Sequence, residues 1–572
     1  MFSKKKRIIA LSIALLMSLT LLAACGSKDS GSTTPPPASS GSSSSSSSTP
    51  EASSGGDNIL RFGTTGVAGN FNPIMANNVY DAYVMDLVFD FLVKNDAKGE
   101  YKGDIADFTI SDDFLTYTFK LKDGITFSDG TPMTSADVEF TYKTIAHPDY
   151  NGPRGYAVAD LVGYEEYHAG ETDVFEGIKV IDGKTVSFTF GDGLASPANI
   201  ECFVYGIMPM HYYDFNSWDD FLDLLQVPLG SGKFVFNDFR LKEYVMLDVN
   251  TNYWDTAKTP KIDGILMSEI PEESLMDAFS TGQLDLAQPQ TNLDNYNGYN
   301  AMEGVVLNPR MGNGYTYLCF NTVRATVNDV KVRQALMYAL DRKSFIEAVY
   351  GPLASVGLAP ISPVSWAFPD SGLNDYAFNM AKAAELMDEA GWTKGSDGIL
   401  QKNGVRMSLI WLVYTDVEWP GRLAEMAYDS WRDLGVELDI QLYDFDTVIE
   451  RTMDAPLEDR DFDIYTMGWS LSIDPDPTGA LFDYDAYVVG GFNASGYFNQ
   501  ESQDLIRDGK TEFDQAKRAA IYKKWALLVN EEIPTIVVAY RNEIWVYNER
   551  VNNMIITPYE DWTMCISDVV LD

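Results

Sequence analysis

Few side chains in this 572-residue sequence are of types that do covalent or metal chemistry. The three histidines, His147, His168 and His211, are scattered, and none forms the H-E-x-x-H pattern that sets two imidazoles on one helix face around zinc. The four cysteines, Cys25, Cys202, Cys319 and Cys565, contain no C-x-x-C pair. Gly230-Ser-Gly-Lys233 carries part of a phosphate-binding loop. Phe234 stands where that loop needs a hydroxyl, and its first glycine is missing. No G-x-S-x-G nucleophile elbow occurs. Asp474-Pro-Asp476-Pro-Thr478-Gly479, with Asp485 at the twelfth position, has the oxygen-donor spacing of a calcium loop. Two internal prolines and an Asp in place of the bidentate Glu count against it. With 83 acidic residues, chance carboxylate pairs are common and single out no acid–base couple. The sequence therefore predicts no catalytic residue, no metal and no cofactor.

Cys25 is the exception, as a site of modification. Lys4, Lys5, Lys6 and Arg7 precede an uncharged, mostly apolar run over 8–24 that ends Leu22-Ala23-Ala24-Cys25-Gly26. A positive start, an apolar run and small residues before a cut site make a secretory signal. The ending resembles the bacterial lipobox, whose cysteine receives a diacylglycerol and becomes the first mature residue. The run is short for a membrane span and is interrupted by Ser12, Ser18 and Thr20. Residues 1–24 read as a lipoprotein signal peptide and 25–57 as a lipid-anchored linker. Pro35-Pro36-Pro37 and the serine run 42–48 have nothing to pack into a core. Two acyl chains hold a protein at a membrane stably where one holds it marginally. The expected location is the extracytoplasmic face of the cell membrane.

The positioning elements follow from residue 58 onward. Hydrophobic residues make up 45% of the chain, enough for two or three packed units. Net charge is −41, and loss of the four basic residues of 1–24 takes it to −45. Such a charge repels nucleic acid and anionic membrane surfaces. Cys202, Cys319 and Cys565 permit at most one internal disulfide. Alternation over 115–121 predicts a strand, and Thr134-Ser-Ala-Asp137 a capping box opening a helix. The turn Asp182-Gly183 joins two strands over 178–181 and 185–190. An amphipathic helix is expected over 329–349, with others over 381–390 and 421–434 and a strand over 436–442. Arg333 and Arg342, placed on one helix, are expected to pair with nearby carboxylates. Strands mixed with helices throughout argue an α/β fold.

Several blocks then resemble the family-5 solute-binding proteins of ABC transporters, the dipeptide- and oligopeptide-binding group. They are Asp104-Ile-Ala-Asp107, Ser111-Asp-Asp-Phe-Leu-Thr-Tyr-Thr-Phe-Lys-Leu-Lys-Asp-Gly-Ile-Thr-Phe-Ser-Asp-Gly-Thr-Pro132, Thr134-Ser-Ala-Asp-Val138, Gly230-Ser-Gly232 and Asn252-Tyr-Trp254. Further along come Phe279-Ser-Thr-Gly-Gln-Leu-Asp285, Phe320-Asn-Thr322, Asp329-Val-Lys-Val-Arg-Gln-Ala-Leu336, Ala390-Gly-Trp392 and Asp463-Ile-Tyr-Thr-Met-Gly-Trp469. The resemblance implies a two-lobed, class II-like periplasmic-binding-protein fold with a hinge and an extra domain in the first lobe. It implies lobe I over 58–93, 205–312 and 541–572, the extra domain over 94–204, and lobe II over 313–540. It also implies a monomeric receptor that performs no reaction, captures a peptide or other small solute, and docks on ABC permease subunits.

Family members bind peptides as an added strand between the lobes. By that analogy Trp469, Ser470, Leu471, Ser472 and Asp474 form the ligand-facing segment, with Trp469 as a planar wall. Peptide binders typically carry an Asp three residues after the Trp, pairing with the peptide amine. That position is Ser472 here, which gives no charge-assisted bond. Asp474 or Asp476 serves instead if the matching is offset. Thr466 replaces the Arg that holds a ligand carboxylate in some relatives. Tyr414, Asp416 and Glu418 fall where relatives contact ligand from lobe II. The two acids favour a cationic or amine-bearing ligand, or else form a solvated loop. Asn70 and Phe71 fall on a lobe I loop facing the cleft, and Tyr315 near the interlobe crossing. Besides a peptide, a non-peptide cationic solute or a metal chelate fits Ser472. A surface hydrolase is the more distant alternative.

Overall fold

The computed structural model describes residues 58–476 and 481–572. The signal, Cys25 and the linker lie outside the described residues, as do Thr478 and Gly479 of the Asp-Pro loop. A twelve-stranded mixed sheet runs through the molecule. Its spine is Thr535–Asn548, a 14-residue strand called here the crossing strand. One half of it pairs antiparallel with Gly314–Phe320, the other with Val305–Met311 and Leu286–Ala287. Beyond Gly314–Phe320 the sheet continues through Ile464–Ser470, Ser408–Tyr414 and Glu437–Tyr443. Beyond Leu286–Ala287 it continues through Ile59–Thr64, Gly264–Glu269, Tyr244–Val249 and Phe234–Arg240.

Two hydrophobic cores flank this spine. Alternate side chains of a strand point to opposite faces. Accordingly, Ile544 and Val546 enter one core while Trp545 enters the other. The larger core gathers most apolar side chains of 315–540, together with Leu275, Phe279 and Tyr299. The second gathers those of 60–267 with Trp562 and Ile566. A separate four-stranded antiparallel sheet, Ala106–Ile110, Thr116–Leu121, Thr185–Thr189 and Ile178–Asp182, adds to the second core. The helix Ser135–Ile145 opens on the predicted Thr134–Asp137 capping box. Two glycines explain the Gly-Ser-Gly stretch. A Cβ on Gly230 would sit 2.2 Å from the Val88 carbonyl oxygen, and one on Gly232 2.5 Å from that of Leu87. The stretch is a close backbone contact.

Two expectations need correction. The helix over 329–349 is two helices, Val330–Tyr338 and Arg342–Val349, because Asp341 caps the second through the Ser344 amide. Arg333 and Arg342 therefore lie on different helices. Their guanidinium groups serve chiefly carbonyls, though Arg333 also meets a carboxylate as expected, that of Glu532 at 3.7 Å. Arg333 donates to Val327, Asn328, Glu532 and Ile533, and Arg342 to Gly357, Val537 and Asp375. Cys202, Cys319 and Cys565 are free thiols, with only Cys319 buried.

Candidate ligand cleft

The strand Ile464–Ser470 pairs with Gly314–Phe320 along its whole length, from Phe320 opposite Ile464 to Gly314 opposite Ser470. On its other side it meets the parallel strand Ser408–Tyr414 at only two positions, Ile464 with Trp411 and Tyr465 with Leu412. The Trp411 indole N–H donates to Thr466 Oγ1 at 2.7 Å and closes that fork. From 466 to 469 the strand has no ladder pair on this side among the described residues. Backbone amides and carbonyls left on a strand edge are a template for another extended chain.

The residues at this edge suit a ligand. Gly468 is exposed, and a Cβ built on it would meet nothing within 4 Å. Trp469 is half-buried, lies opposite Tyr315 and meets Phe492 edge-on at 5.5 Å. Asn313 then steers the chain onward. Its carbonyl accepts from the Leu471 amide at 2.9 Å, and its Nδ2 donates to the carbonyls of Leu471 and Ser472 at 3.1 and 2.8 Å.

The other sequence-selected residues divide sharply. Ser472 Oγ donates to its neighbour's carbonyl, that of Asp474, at 2.9 Å. The Asp474 carboxylate takes two bonds from Arg518, at 2.6 and 2.8 Å, so it is already committed to a cation of its own chain. Tyr414 is buried, wedged edge-on between Trp419 and Phe445. Asp416 accepts the Phe445 amide at 2.7 Å, and Glu418 pairs with Arg422 at 2.6 Å on the surface. Asn70 donates to the Met75 carbonyl at 3.0 Å, and Phe71 is buried against Phe236 and Phe239. The structure thus brings Trp469, Ser470 and Tyr315 together, while Asn70 and Phe71 hold their own loop.

One contact escaped sequence reasoning. Glu201, in the short helix Pro197–Phe203, accepts the Asp474 amide and the Tyr101 hydroxyl, both at 2.9 Å. It joins the 94–204 region to the segment that follows Trp469. Phe114 and Phe513 also stack across these two regions, with ring centroids 3.8 Å apart. Contacts between positions 273 residues apart leave no local sequence signal. Burial, then the charge of Asp474, pushes the Glu201 carboxyl up to about 7, against the two donors and Arg518. A carboxyl raised in the folded state favours folding below its unfolded value, and that advantage is lost as pH rises through the folded value. This contact should therefore weaken between about pH 5 and 8, by up to about 3 kcal/mol. Melting curves across that range should show a fall that Glu201→Gln flattens; parallel profiles for the two proteins would refute it.

Among the described residues no three metal-ligating side chains converge. Residues 100–487 match the bacterial extracellular solute-binding proteins, family 5 Middle. The oligopeptide-binding protein AppA of Bacillus subtilis is 27% identical over 545 residues, covering 94% of each chain. Heme-binding protein A of Haemophilus influenzae is 27% identical over 466 residues, 79% of this chain and 80% of that one. The solved structure of Bacillus subtilis AppA with a nonapeptide superposes with a TM-score of 0.68 at 25% identity, over 90% of this chain and 99% of that one.

Proposed function

Because this chain belongs to the bacterial extracellular solute-binding proteins of family 5, we propose that it captures peptides outside the cytoplasm and hands them to an ABC importer. The observation that carries this reading is the strand edge over 466–469, unladdered beside a half-buried Trp469. A peptide added there as a strand gains main-chain hydrogen bonds that read no side chain, so many sequences are accepted. Trp469, Ser470, Leu471 and Tyr315 line the ligand, with Tyr414 behind them. The lobes are 58–93, 205–312 and 541–572 against 313–540, with 94–204 as an added domain. They close about a hinge at the crossing strand. The Glu201–Asp474 contact holds the closed form. Cys25 carries a lipid that keeps the receptor, a monomer acting by binding alone, within reach of its permease subunits.

Mass spectrometry of the protein isolated from membranes tests both ends of this reading. It should find an acyl group on Cys25 and a ladder of co-purified peptides. Lack of thermal stabilisation by any peptide would refute the peptide assignment. Trp469→Ala should weaken peptide binding about tenfold or more, because a large aromatic wall is lost, while the melting temperature holds. Unchanged affinity in titration calorimetry would remove Trp469 from the site. A second reading, a non-peptide cationic solute or metal chelate, is favoured by Ser472, which lacks the carboxylate for a peptide amine, and by the similarity to a heme-binding protein.

A further inference from the structure

The segment that leaves the candidate ligand edge is held from two sides. On one side, Asn313 bonds the backbone of Leu471 and Ser472, and Arg518 takes the Asp474 carboxylate through two bonds. On the other, Glu201 Oε1 accepts both the Asp474 amide and the Tyr101 hydroxyl at 2.9 Å. Gly99 lies against Ile473, where a Cβ would come within 2.9 Å of Cγ2. The 94–204 region thus grips the chain just past Ser470, the last ladder position of the edge.

Phe114 supplies an independent observation. It sits in the turn between Ala106–Ile110 and Thr116–Leu121 at φ +59°, a left-handed conformation that is costly for a residue with a side chain. Its ring is 39% exposed, yet stacks on Phe513 with 3.8 Å between centroids and 15° between planes. A large apolar ring held this way at the tip of a turn reaches across to the far side of the grip. Two unlike contacts, one polar and one aromatic, therefore join the same two regions.

Glu201 is half-buried, and both of its accepted bonds fall on Oε1, which leaves Oε2 to carry a proton. Loss of water, then the Asp474 charge, raises its carboxyl to about 7, against its two donors and Arg518. The other ionisable groups around it come from four elements. The helix Tyr156–Ala159 brings Tyr156, bonded to Tyr205, and Asp160 just after it. The helix Gln500–Thr511 brings Asp504, Arg507 and Asp508, which pair together, and the exposed Glu501 and Lys510. Asp476 follows Asp474 and gives it an amide. Beside Tyr101, Lys102 pairs with Glu100 at 2.7 Å. Burial raises the Cys202 thiol and the Tyr101 and Tyr156 hydroxyls, so they stay neutral through pH 8.

We propose that Glu201 is a proton site that latches the 94–204 region onto the ligand edge, so that ligand capture takes up a proton from water. The proposal rests on the peptide reading above and adds to it a dependence on external acidity. With the lobes apart, Glu201 faces water and has an ordinary carboxyl value; closure removes that water and brings Asp474 near. A carboxyl raised in the closed form favours closure fully below its open value, and that advantage is lost as pH rises through the closed value. The coupling is reciprocal, so ligand also favours the proton. The neutral carboxyl keeps Oε1 as acceptor for both donors and no longer repels the Asp474 carboxylate.

The test uses the full chain and tri- to nonapeptides of Ala, Ser and Gly, which carry no ionisable side chain. Titration calorimetry near pH 6, in buffers of different ionisation heat, should show about one proton taken up per peptide bound. Affinity should be roughly tenfold or more tighter near pH 5 than near pH 7.5. Glu201→Gln, neutral at every pH, should take up no proton and bind near pH 7.5 as tightly as the wild type does near pH 5. Glu201→Ala should also take up none, but bind weakly at both. Opposite signs for the two variants separate proton linkage from a merely structural role. Phe114→Gly suits the left-handed turn and should weaken binding several-fold at both pH values; unchanged affinity overturns the grip by the 94–204 region. Absence of proton uptake in the wild type, or uptake that survives Glu201→Gln, overturns the latch and leaves the peptide reading standing. Failure of every peptide to bind at either pH overturns the peptide reading and the latch with it.

Discussion

Gly468→Leu should abolish ligand binding, by a hundredfold or more, in a protein that folds as well as the wild type. Gly468 sits in the middle of the unladdered stretch of Ile464–Ser470 and is exposed. Its backbone is outside the left-handed region, so a side chain there adds no φ strain. A Cβ would meet nothing within 4 Å, so leucine enters open space and displaces no core atom. Leucine also costs a strand less conformational entropy than glycine does. What it removes is room. A strand docking on this edge lies in the sheet plane, about 5 Å from Ile464–Ser470, and its own side chains need the open face above Gly468 that a branched side chain would fill. Gly468→Ala, with one methyl, should show an intermediate loss. Urea melts and peptide titrations on the same samples separate the two effects. Full affinity in Gly468→Leu would mean that ligand binds elsewhere, and a collapsed melt would mean that the space is needed by the fold.

The fold was legible in the sequence where its determinants are local. The Thr134–Asp137 capping box and the Asp182-Gly183 hairpin rest on a few neighbouring side chains, and both form as read. The helix over 329–349 misled because its apolar spacing runs on through Ala339 and Leu340, while a single cap at Asp341 restarts the helix. Arg333 and Arg342 misled for a different reason. Their partners are mostly carbonyls, some local and some brought in from 195 to 200 residues away, which no i, i+4 argument reaches. The candidate site shows the same division. Trp469 was reached through the family resemblance of Asp463–Trp469, and its half-buried place on the strand edge is what the structure adds. The commitment of Asp474 to Arg518, 44 residues on, was not within reach, nor was Glu201. The sequence has many acids, and only the fold decides which of them already have a cation.

Asp285→Ala should be the most damaging single substitution for stability among those considered, costing about 3–5 kcal/mol. Its carboxylate is 3% exposed and takes charge-assisted bonds from Arg550 at 2.6 and 2.8 Å, with Arg61 at 3.6 Å. It also accepts the Arg61 amide at 2.9 Å. The same residue's backbone donates to the Arg61 carbonyl at 2.8 Å and accepts from the Asn548 amide at 2.9 Å. One residue thus ties Ile59–Thr64 to the end of the crossing strand. Removing the carboxylate strips two guanidinium groups and a backbone amide of the acceptor they share. Asp285→Asn keeps the acceptor oxygen and the shape, so it should cost less. The midpoint of urea unfolding reads the difference, and a shift worth under about 0.5 kcal/mol for Asp285→Ala would refute the argument. The prediction also bears on function. In the proposed two-lobed receptor, closure transmits force only if each lobe grips the shared strand, and Asp285 would be the first lobe's grip. The folded fraction of Asp285→Ala should bind ligand with near wild-type affinity, because Asp285 is not part of the strand edge on which a ligand would lie.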